Sequence, residues 1–460
     1  MEKIVIIGGG LSGYLLLMSF LRFNKNGGLQ IVMLEKEQVD RVGVPYATKN
    51  VHHLLNVPAG NMSAFAEMPH HFTDWLLKKG YDFDPSSFVP RTFYRDYILD
   101  TFNELMRHRP NGTNVQLLQA EAVDVDMQHK AVLLKDGALV YFDKLILATG
   151  TFASAHLPLK DTTYQQSPNY YHSAWEVNIP DRLRGDESIF IIGTGLTMTD
   201  TLISLHNAGH NGKIYALSKH GLLPAVHKTC SVYPSFGEEM EGHSTALGMF
   251  KTVRKHLQTG ADWRAVIDSL RPFNQRLWAS LPGSEKQAFI EHLRHWWDTA
   301  RHRMPPSSAD IIFPWLSEEK AIIMGGRIEE IALAEEGQFK ISYRKRHTRH
   351  TQRLEAQVII NCMGPATDYN RIQHVLVKNL LRKGLLITDA MRLGVQCQED
   401  GALVNSDGIT SGCFYTIGAP AKGVLWETTA VPELRVQASN LANKLMQANI
   451  ARSNYHHLTM

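Results

Sequence analysis

Short apolar, β-branched runs recur along the chain, and each is closed by small residues or glycine. Between them lie stretches whose apolar residues return at helical spacing. The first run, residues 2–7, leads directly into Gly8-Gly9-Gly10-Leu11-Ser12-Gly13 and then into the apolar stretch 14–21. This predicts a strand, a glycine turn and a helix. A second strand over residues 30–34 ends in Glu35. Residues 72–79 predict a short helix. Over residues 94–106 the helical recurrence of Tyr94, Tyr97, Ile98, Thr101, Phe102 and Leu105 predicts a longer one. Three strand-like runs follow, 115–126, 131–134 and 144–147, with Asp136-Gly137 as a turn between the last two and Ala148-Thr149-Gly150 as the close.

The pattern then repeats. Residues 188–192 predict a buried strand that runs into Gly193-Thr194-Gly195-Leu196-Thr197-Met198-Thr199, followed by a helix to Asn207 and a strand over 213–217. Strands over 327–333, 339–344 and 357–360 end in Asn361-Cys362-Met363-Gly364, matching the trio that closes on Gly150. Two units of this kind predict an α/β protein with two Rossmann-like dinucleotide-binding domains, each a parallel sheet with a β-excursion.

Residues 230–320 differ in kind and predict a mainly helical insertion in the second unit. Trp263, Val266, Ile267 and Leu270 share one helical face. Beyond Pro282-Gly283, Ser284 and Gln287 suit a capping box, and Phe289, Leu293, Trp296 and Trp297 suit an apolar stripe. The arginines and histidines around it (His292, Arg294, His295, Arg301, His302, Arg303) could face a site, although scattered histidines suit a solvated face better than a metal site. After Gly364 a strand over 411–417 ends at Gly418, and the loop to Gly423 opens a helix over 432–446. A glycine loop of this kind places free amides at a helix N-terminus.

The chemistry sits at the turns. In G-x-G-x-x-G between strand and helix, Gly8 allows the tight turn, Gly10 admits a pyrophosphate to the backbone and Gly13 lets helix and strand approach. Amides freed at the helix start bind the phosphates. Glu35 follows Gly13 by 35 − 13 = 22 residues, close to the spacing of the acid that accepts from ribose hydroxyls. In the second unit Met198 stands where the third glycine would be, and Ser218-Lys219-His220 stands where the acid would be. A cation there suits a ribose 2′-phosphate, so Lys219 points to NADPH ahead of NADH. The alternative is a solvated Lys-His pair.

Composition narrows the reading. The 460 residues give roughly two to four domains. With 44% hydrophobic and 20% charged residues, the composition is that of a soluble globular protein. A net charge of +3 gives no ground for nucleic acid binding, and the basic run 344–353 fits a hairpin tip at least as well as a polyanion site. A strand at the very start leaves no room for a signal peptide, and no apolar run reaches the roughly twenty residues of a membrane span. The four cysteines, Cys230, Cys362, Cys397 and Cys413, include no C-x-x-C pair. That points to a reducing cytoplasm and away from a dithiol-disulfide reductase.

Several stretches together resemble one family. They are Val44-Pro45-Tyr46, His53-Leu54-Leu55-Asn56-Val57-Pro58, Met62-Ser63-Ala64, Phe72-Thr73-Asp74-Trp75-Leu76, Val89-Pro90-Arg91, Gly193 to Thr197, Gly221-Leu222-Leu223-Pro224, Arg301-His302-Arg303 and Trp426 to Arg435. The chain is similar over nearly its whole length to the bacterial FAD/NAD(P)-binding oxidoreductase family that includes FAD-dependent urate hydroxylase-like proteins. A histidine, His220, stands where that family commonly has a second basic residue.

The resemblance implies FAD in the first domain and NADPH (or NADH) at the second. The divisions expected are 1–165 and 366–460 for FAD, 166–229 and 321–365 for NAD(P), and 230–320 for the insertion. FAD is then expected at Gly8, Gly10, Ser12, Gly13, Glu35, Val123, Thr149, Gly150, Gly418 and Gly423, and the nicotinamide nucleotide at Gly193, Gly195, Leu196, Thr197 and Lys219. His53, Asn56 and Trp426 are the candidates beside the flavin, with loop packing as the competing role. The expected function is an FAD-dependent oxidoreductase, reduced by NADPH and acting as a small-molecule monooxygenase or hydroxylase with dioxygen. The alternatives are an FAD oxidase or dehydrogenase that makes no use of NAD(P)H, favoured by Met198, and a flavin redox sensor that is not an enzyme.

Overall fold

A computed structural model describes residues 2–176, 179–334 and 337–458. The early strands are β1 (Glu2–Ile7), β2 (Leu29–Glu35), β3 (Asn114–Gln119), β4 (Ala122–Asp126), β5 (Ala131–Leu134), β6 (Leu139–Tyr141) and β7 (Lys144–Leu147). Then come β8 (Tyr170–Tyr171), β9 (Ile189–Ile192), β10 (Ile214–Ser218), β11 (Ala321–Leu333), β12 (Phe339–Lys345), β13 (Thr351–Ala356) and β14 (Val358–Asn361). The chain closes with β15 (Ala402–Val404) and β16 (Thr410–Thr416).

They form a six-stranded sheet in the order β15-β16-β7-β1-β2-β3 and a seven-stranded sheet in the order β13-β12-β11-β10-β9-β14-β8. A small antiparallel sheet, β4-β5-β6, stands apart. Both large sheets have parallel centres: β1 pairs with β2 and β7, and β9 pairs with β10 and β14. The architecture is mixed α/β with two Rossmann-like sheets.

Each central strand is apolar on both faces, as a sheet covered by helices requires. In β1, Ile4 and Ile6 enter one core and Val5 and Ile7 the other, all buried. The same division appears in β9, with Ile189 and Ile191 against Phe190 and Ile192. The helix Leu11–Phe23 and the C-terminal helix Val431–Leu458 cover the first sheet together, and the fully buried Ala438 and Ala442 belong to that core.

Three local expectations need correction. The run 115–126 is two strands, because the pairing with β2 ends where the Ala120 amide donates to the Glu35 carbonyl (2.8 Å), and β4 joins the small sheet instead. The Ser284–Gln287 capping box does not form: the helix Gly283–Ala288 starts after Pro282 with no side-chain cap. Residues 289–293 form a π-helical turn, which shifts the helical phase, so Trp296 is 52% exposed instead of joining the stripe. β13 has no strand-like apolar run, since Leu354 and Ala356 are its only apolar residues and they share one face. The basic run 344–353 does span a hairpin tip, between β12 and β13.

Candidate dinucleotide and substrate clefts

The first glycine turn is shaped by contacts that only glycine permits. Gly8 has φ +115°, and a Cβ on it would lie 2.3 Å from the Ala148 carbonyl oxygen. A Cβ on Gly13 would lie 2.1 Å from the Gly8 oxygen, so the helix start presses directly on its own strand. Gly10 caps the helix in extended conformation, and nothing comes closer to its Cβ position than Gly43 at 3.9 Å. The turn is packed below and open above.

Glu35, at the end of β2, turns back over this turn. Its Oε2 accepts from the Gly9 amide (2.7 Å) and its Oε1 from the Glu37 amide (2.9 Å). A carboxylate has about four acceptor sites, so capacity for hydroxyl donors remains. A cleft of about 510 Å³ runs along these groups and is lined by Gly8, Gly10, Ser12, Glu35, Thr149 and Gly150 among others. Sequence-distant residues thus meet in one cleft. The open amides, the small-residue floor and the placed carboxylate fit a dinucleotide.

Other expected positions fall elsewhere. Gly13 underlies the turn without lining the cleft. Gly418 (φ +80°) backs Ser12, whose Oγ would lie 2.4 Å from a Cβ there. Val123 does not line the cleft, and its carbonyl accepts from Asn379 (2.8 Å), while its neighbour Ala122 does line it. Gly423 is turned away: its Cβ position lies 2.2 Å from Asp389 Cγ, and its carbonyl accepts from Trp278 Nε1 (2.8 Å). Trp426 lines neither cleft. It is 4% exposed and stacks on Trp278 at 4.8 Å, so its role is to pack the insertion on the first domain.

A second cleft of about 1120 Å³ opens beside the first. Asn56 and Leu196 line it, as do Arg271, Arg301 and Arg303 of the insertion. Pro45, Tyr46, Trp175, Thr197 and Thr429 line both clefts and therefore mark their junction. Tyr46 and Trp175 were not expected. Tyr46 belongs to the Val44-Pro45-Tyr46 stretch, but nothing local indicates that it meets residues 175, 197 and 429. Burial pushes the Tyr46 phenol up to about 12, so it stays protonated at neutral pH.

Two contacts hold the helix Leu196–Asn207 against this junction. Arg91 pairs with Asp200 (2.9 Å), both largely buried, and also donates to the Leu54 carbonyl (3.0 Å). His53 meets Thr48 Oγ1 through Nδ1 (2.8 Å) and Ser204 Oγ through Nε2 (2.8 Å). It lines neither cleft. Burial lowers its pKa, and the neutral ring acts as a bridge between the two nucleotide units.

The insertion is fastened through Glu427, a non-glycine residue at φ +62°. Its Oε1 accepts from Trp297 Nε1 (2.9 Å) and Arg301 Nε (3.1 Å), and its Oε2 from Asn274 (2.7 Å) and the Arg301 guanidinium (3.2 Å). Arg271 forks onto Glu433 (2.7 and 2.8 Å), and Arg303 onto Asp268 (2.8 and 2.9 Å). The arginine motif expected near a site is therefore largely neutralised by carboxylates. All four cysteines are free, with Cys362 and Cys397 buried.

In the second unit, Gly193 (φ +107°) has its Cβ position 2.7 Å from the Cys362 oxygen, repeating Gly8 over Ala148. Gly195 caps the next helix, with nothing within 4 Å of its Cβ position. Gly193, Gly195 and Lys219 line neither cleft, so this turn faces open surface, while Leu196 and Thr197 just beyond it enter the clefts.

Comparison with known proteins agrees with this fold. Residues 5–152 match a family model described as FAD-NAD(P)-binding, and residues 94–211 match one described as glucose inhibited division protein A. A comparison with curated proteins returned no match. Among solved structures, the chain is similar to L-lysine 6-monooxygenase from Pseudomonas syringae, with TM-score 0.64, 13% identity and coverage of 97% of this chain and 100% of that one. Ornithine N-hydroxylase from Kutzneria sp. 744, described with reduced FAD, NADP+ and L-ornithine, gives TM-score 0.64 at 12% identity, covering 98% and 100%. Bacillithiol disulfide reductase from Staphylococcus aureus gives 0.55 at 13%, covering 97% and 99%. At these identities the likeness is one of fold, and it extends over the whole chain. No helix among the described residues is long and apolar enough to cross a membrane.

Proposed function

We propose that the protein is an FAD-dependent oxidoreductase, reduced by NADPH, that acts as a small-molecule monooxygenase. The observation that carries this reading is the junction of two clefts at Pro45, Tyr46, Trp175, Thr197 and Thr429. One cleft suits a dinucleotide held along Gly8, Gly10, Ser12 and Glu35. The other has room for a second reactant at the same junction. Bound FAD supplies a two-electron acceptor for hydride and, once reduced, a donor to dioxygen.

This chain's residues bind, orient and exclude water. Amides at the start of helix Leu11–Phe23 hold the diphosphate, and Glu35 accepts from the ribose. Thr149 and Gly150 form the small-residue floor. Protonated Tyr46 and the ring of Trp175 wall the junction against solvent. Arg91 and His53 hold Thr197 at that wall by fixing its helix. Hydride transfer requires no protein acid or base, so positioning is the main contribution expected of the side chains.

The lysine and ornithine hydroxylases named among the similar folds put amines first among substrate classes. The resemblance to urate hydroxylase-like proteins adds purines. Anaerobic mixing with NADPH or NADH, followed at the flavin absorbance, tests the reading. Rapid bleaching by NADPH is expected, followed by substrate-dependent loss of peroxide yield when air is admitted with the right amine or purine. Bleaching by a substrate alone would establish a dehydrogenase or oxidase instead. Bleaching by no reductant would leave a binding or sensing role.

A further inference from the structure

Beyond the second glycine turn, basic side chains from three elements converge. Lys219 and His220 follow β10. At the β12–β13 tip, Arg346 donates its amide to the Gly325 carbonyl (2.9 Å) and its guanidinium to the His220 carbonyl (3.4 Å). From the insertion, the helix Arg294–Arg301 brings His295 flat onto His220, with ring centroids 3.7 Å apart and planes 1° from parallel. Lys219 is exposed and the other three are half-buried. Neither Lys219 nor Arg346 is ion-paired among the described residues. His220 Nδ1 is buried with no hydrogen-bond partner.

We infer that Lys219, His220, His295 and Arg346 form a phosphate-monoester site shared by the nucleotide domain and the insertion, and that filling it protonates the stacked imidazole pair. The inference rests on the proposal that NADPH serves the second turn, and it assigns the ribose 2′-phosphate to this site. Without ligand, the groups facing the pair are Arg346, Lys219 and His292, all basic, and Asp298 as the one carboxylate. Burial first, then the basic neighbours, lowers both imidazoles, His220 to about 4, and Asp298 only partly opposes this at His295. Two neutral rings stack without repulsion at neutral pH. A dianion reverses the local charge and favours an imidazolium, with the proton drawn from solvent and no covalent bond made. The insertion contributes one ring of the pair, so phosphate binding also fastens the insertion to the nucleotide domain.

The sign follows from linkage. The imidazole pKa is low when free and raised in the complex, so binding takes up a proton and weakens as pH rises through the complex value. The phosphate's own second ionisation, near about 6, acts in the opposite direction and is nearly complete above neutrality. Above neutrality the histidine contribution is the pH-dependent part that is left.

Calorimetric titration of the FAD-loaded protein with NADP+, NAD+ and 2′,5′-ADP in buffers of different ionisation heat reads this directly. For NADP+ and 2′,5′-ADP, net proton uptake and a dissociation constant that rises toward about tenfold per pH unit are expected, with neither for NAD+. His295→Asn removes the uptake and flattens the slope. Arg346→Met weakens both phosphate ligands about tenfold at every pH and keeps the slope, as loss of one charge-assisted contact implies. NADP+ binding without proton uptake, or an unchanged slope in His295→Asn, overturns the inference. If bleaching shows that NADPH is not the reductant, 2′,5′-ADP still tests the site, and its failure to bind overturns the site as well.

Discussion

Two glycine turns in this molecule share a backbone and differ in what surrounds them. Gly8 and Gly193 have φ of +115° and +107°, and each lies under the carbonyl that ends a neighbouring strand. Gly10 and Gly195 both cap a helix in extended conformation. The third position separates them. Gly13 lets its helix touch the Gly8 carbonyl, whereas Met198 is wholly buried in the core of the second sheet. A methionine in Gly13's contact would collide, so the second helix must sit farther from its strand. The first turn then opens into a cleft that also contains Glu35, and the second faces open surface near Lys219. The first is the arrangement expected for a resident cofactor, and the second for a nucleotide that exchanges.

The largest effect should come from closing the first turn. In Gly13→Ala the new methyl meets a backbone carbonyl at 2.1 Å, and no flexible side chain is there to give way. The protein should purify without flavin, with FAD affinity reduced by about a hundredfold or more, since a misplaced helix start loses several amide–phosphate contacts together. Met198→Gly is the contrast. It should leave FAD stoichiometry intact and cost about 4 kcal/mol, from the lost methionine burial together with a glycine inside a helix. Flavin absorbance and urea midpoints separate the two outcomes. Equal flavin loss in both would erase the distinction between the turns.

How far the sequence reaches depends on the range of the interaction. β1, β2, β9 and β10 are legible because a doubly covered parallel strand must be apolar throughout. The turns are legible because positive φ and close packing demand glycine. Trp426 reads as a ring-side residue from its glycine loop, yet its stacking partner Trp278 comes from the insertion, and no local pattern indicates the pair. Trp175 has neither motif nor periodicity, and only the folded chain brings it to Tyr46 and Thr429. The π-helical turn at 289–293 likewise shifts the phase on which a helical stripe is read, so Trp296 faces outward while Trp297 reaches Glu427.

Glu427 shows that the insertion, which interrupts the second unit, is fastened to the first. Burial pushes its carboxyl up, but the Arg301 charge and hydrogen bonds outweigh this and hold it below the usual range. Glu427→Gln leaves Arg301 buried against a neutral partner and should cost about 3 kcal/mol at neutral pH. A depressed carboxyl contributes stability above its unfolded value, near about 4.3, and loses it as pH falls through the folded value. The gap between wild type and variant should therefore hold down to about pH 4.3 and shrink below it. Urea midpoints at pH 7 and about pH 3 check this, and a constant gap would mean that the charge is not what fastens the insertion.

The smallest of the three effects tests the second turn without disturbing the fold. A Cβ on Gly195 meets no atom within 4 Å, so Gly195→Ala should fold, keep its FAD and melt as the wild type does. The added methyl lies at the cap of helix Leu196–Asn207, where a pyrophosphate would approach the backbone. The KM for NADPH should rise about tenfold, with kcat within about twofold, because the loss falls on ground-state and transition-state binding alike. Gly10→Ala should act on FAD instead and leave the NADPH response of any flavin-loaded fraction unchanged. If Gly195→Ala leaves KM unchanged, the second turn does not hold the nucleotide, and the likeness between the two turns is one of backbone alone.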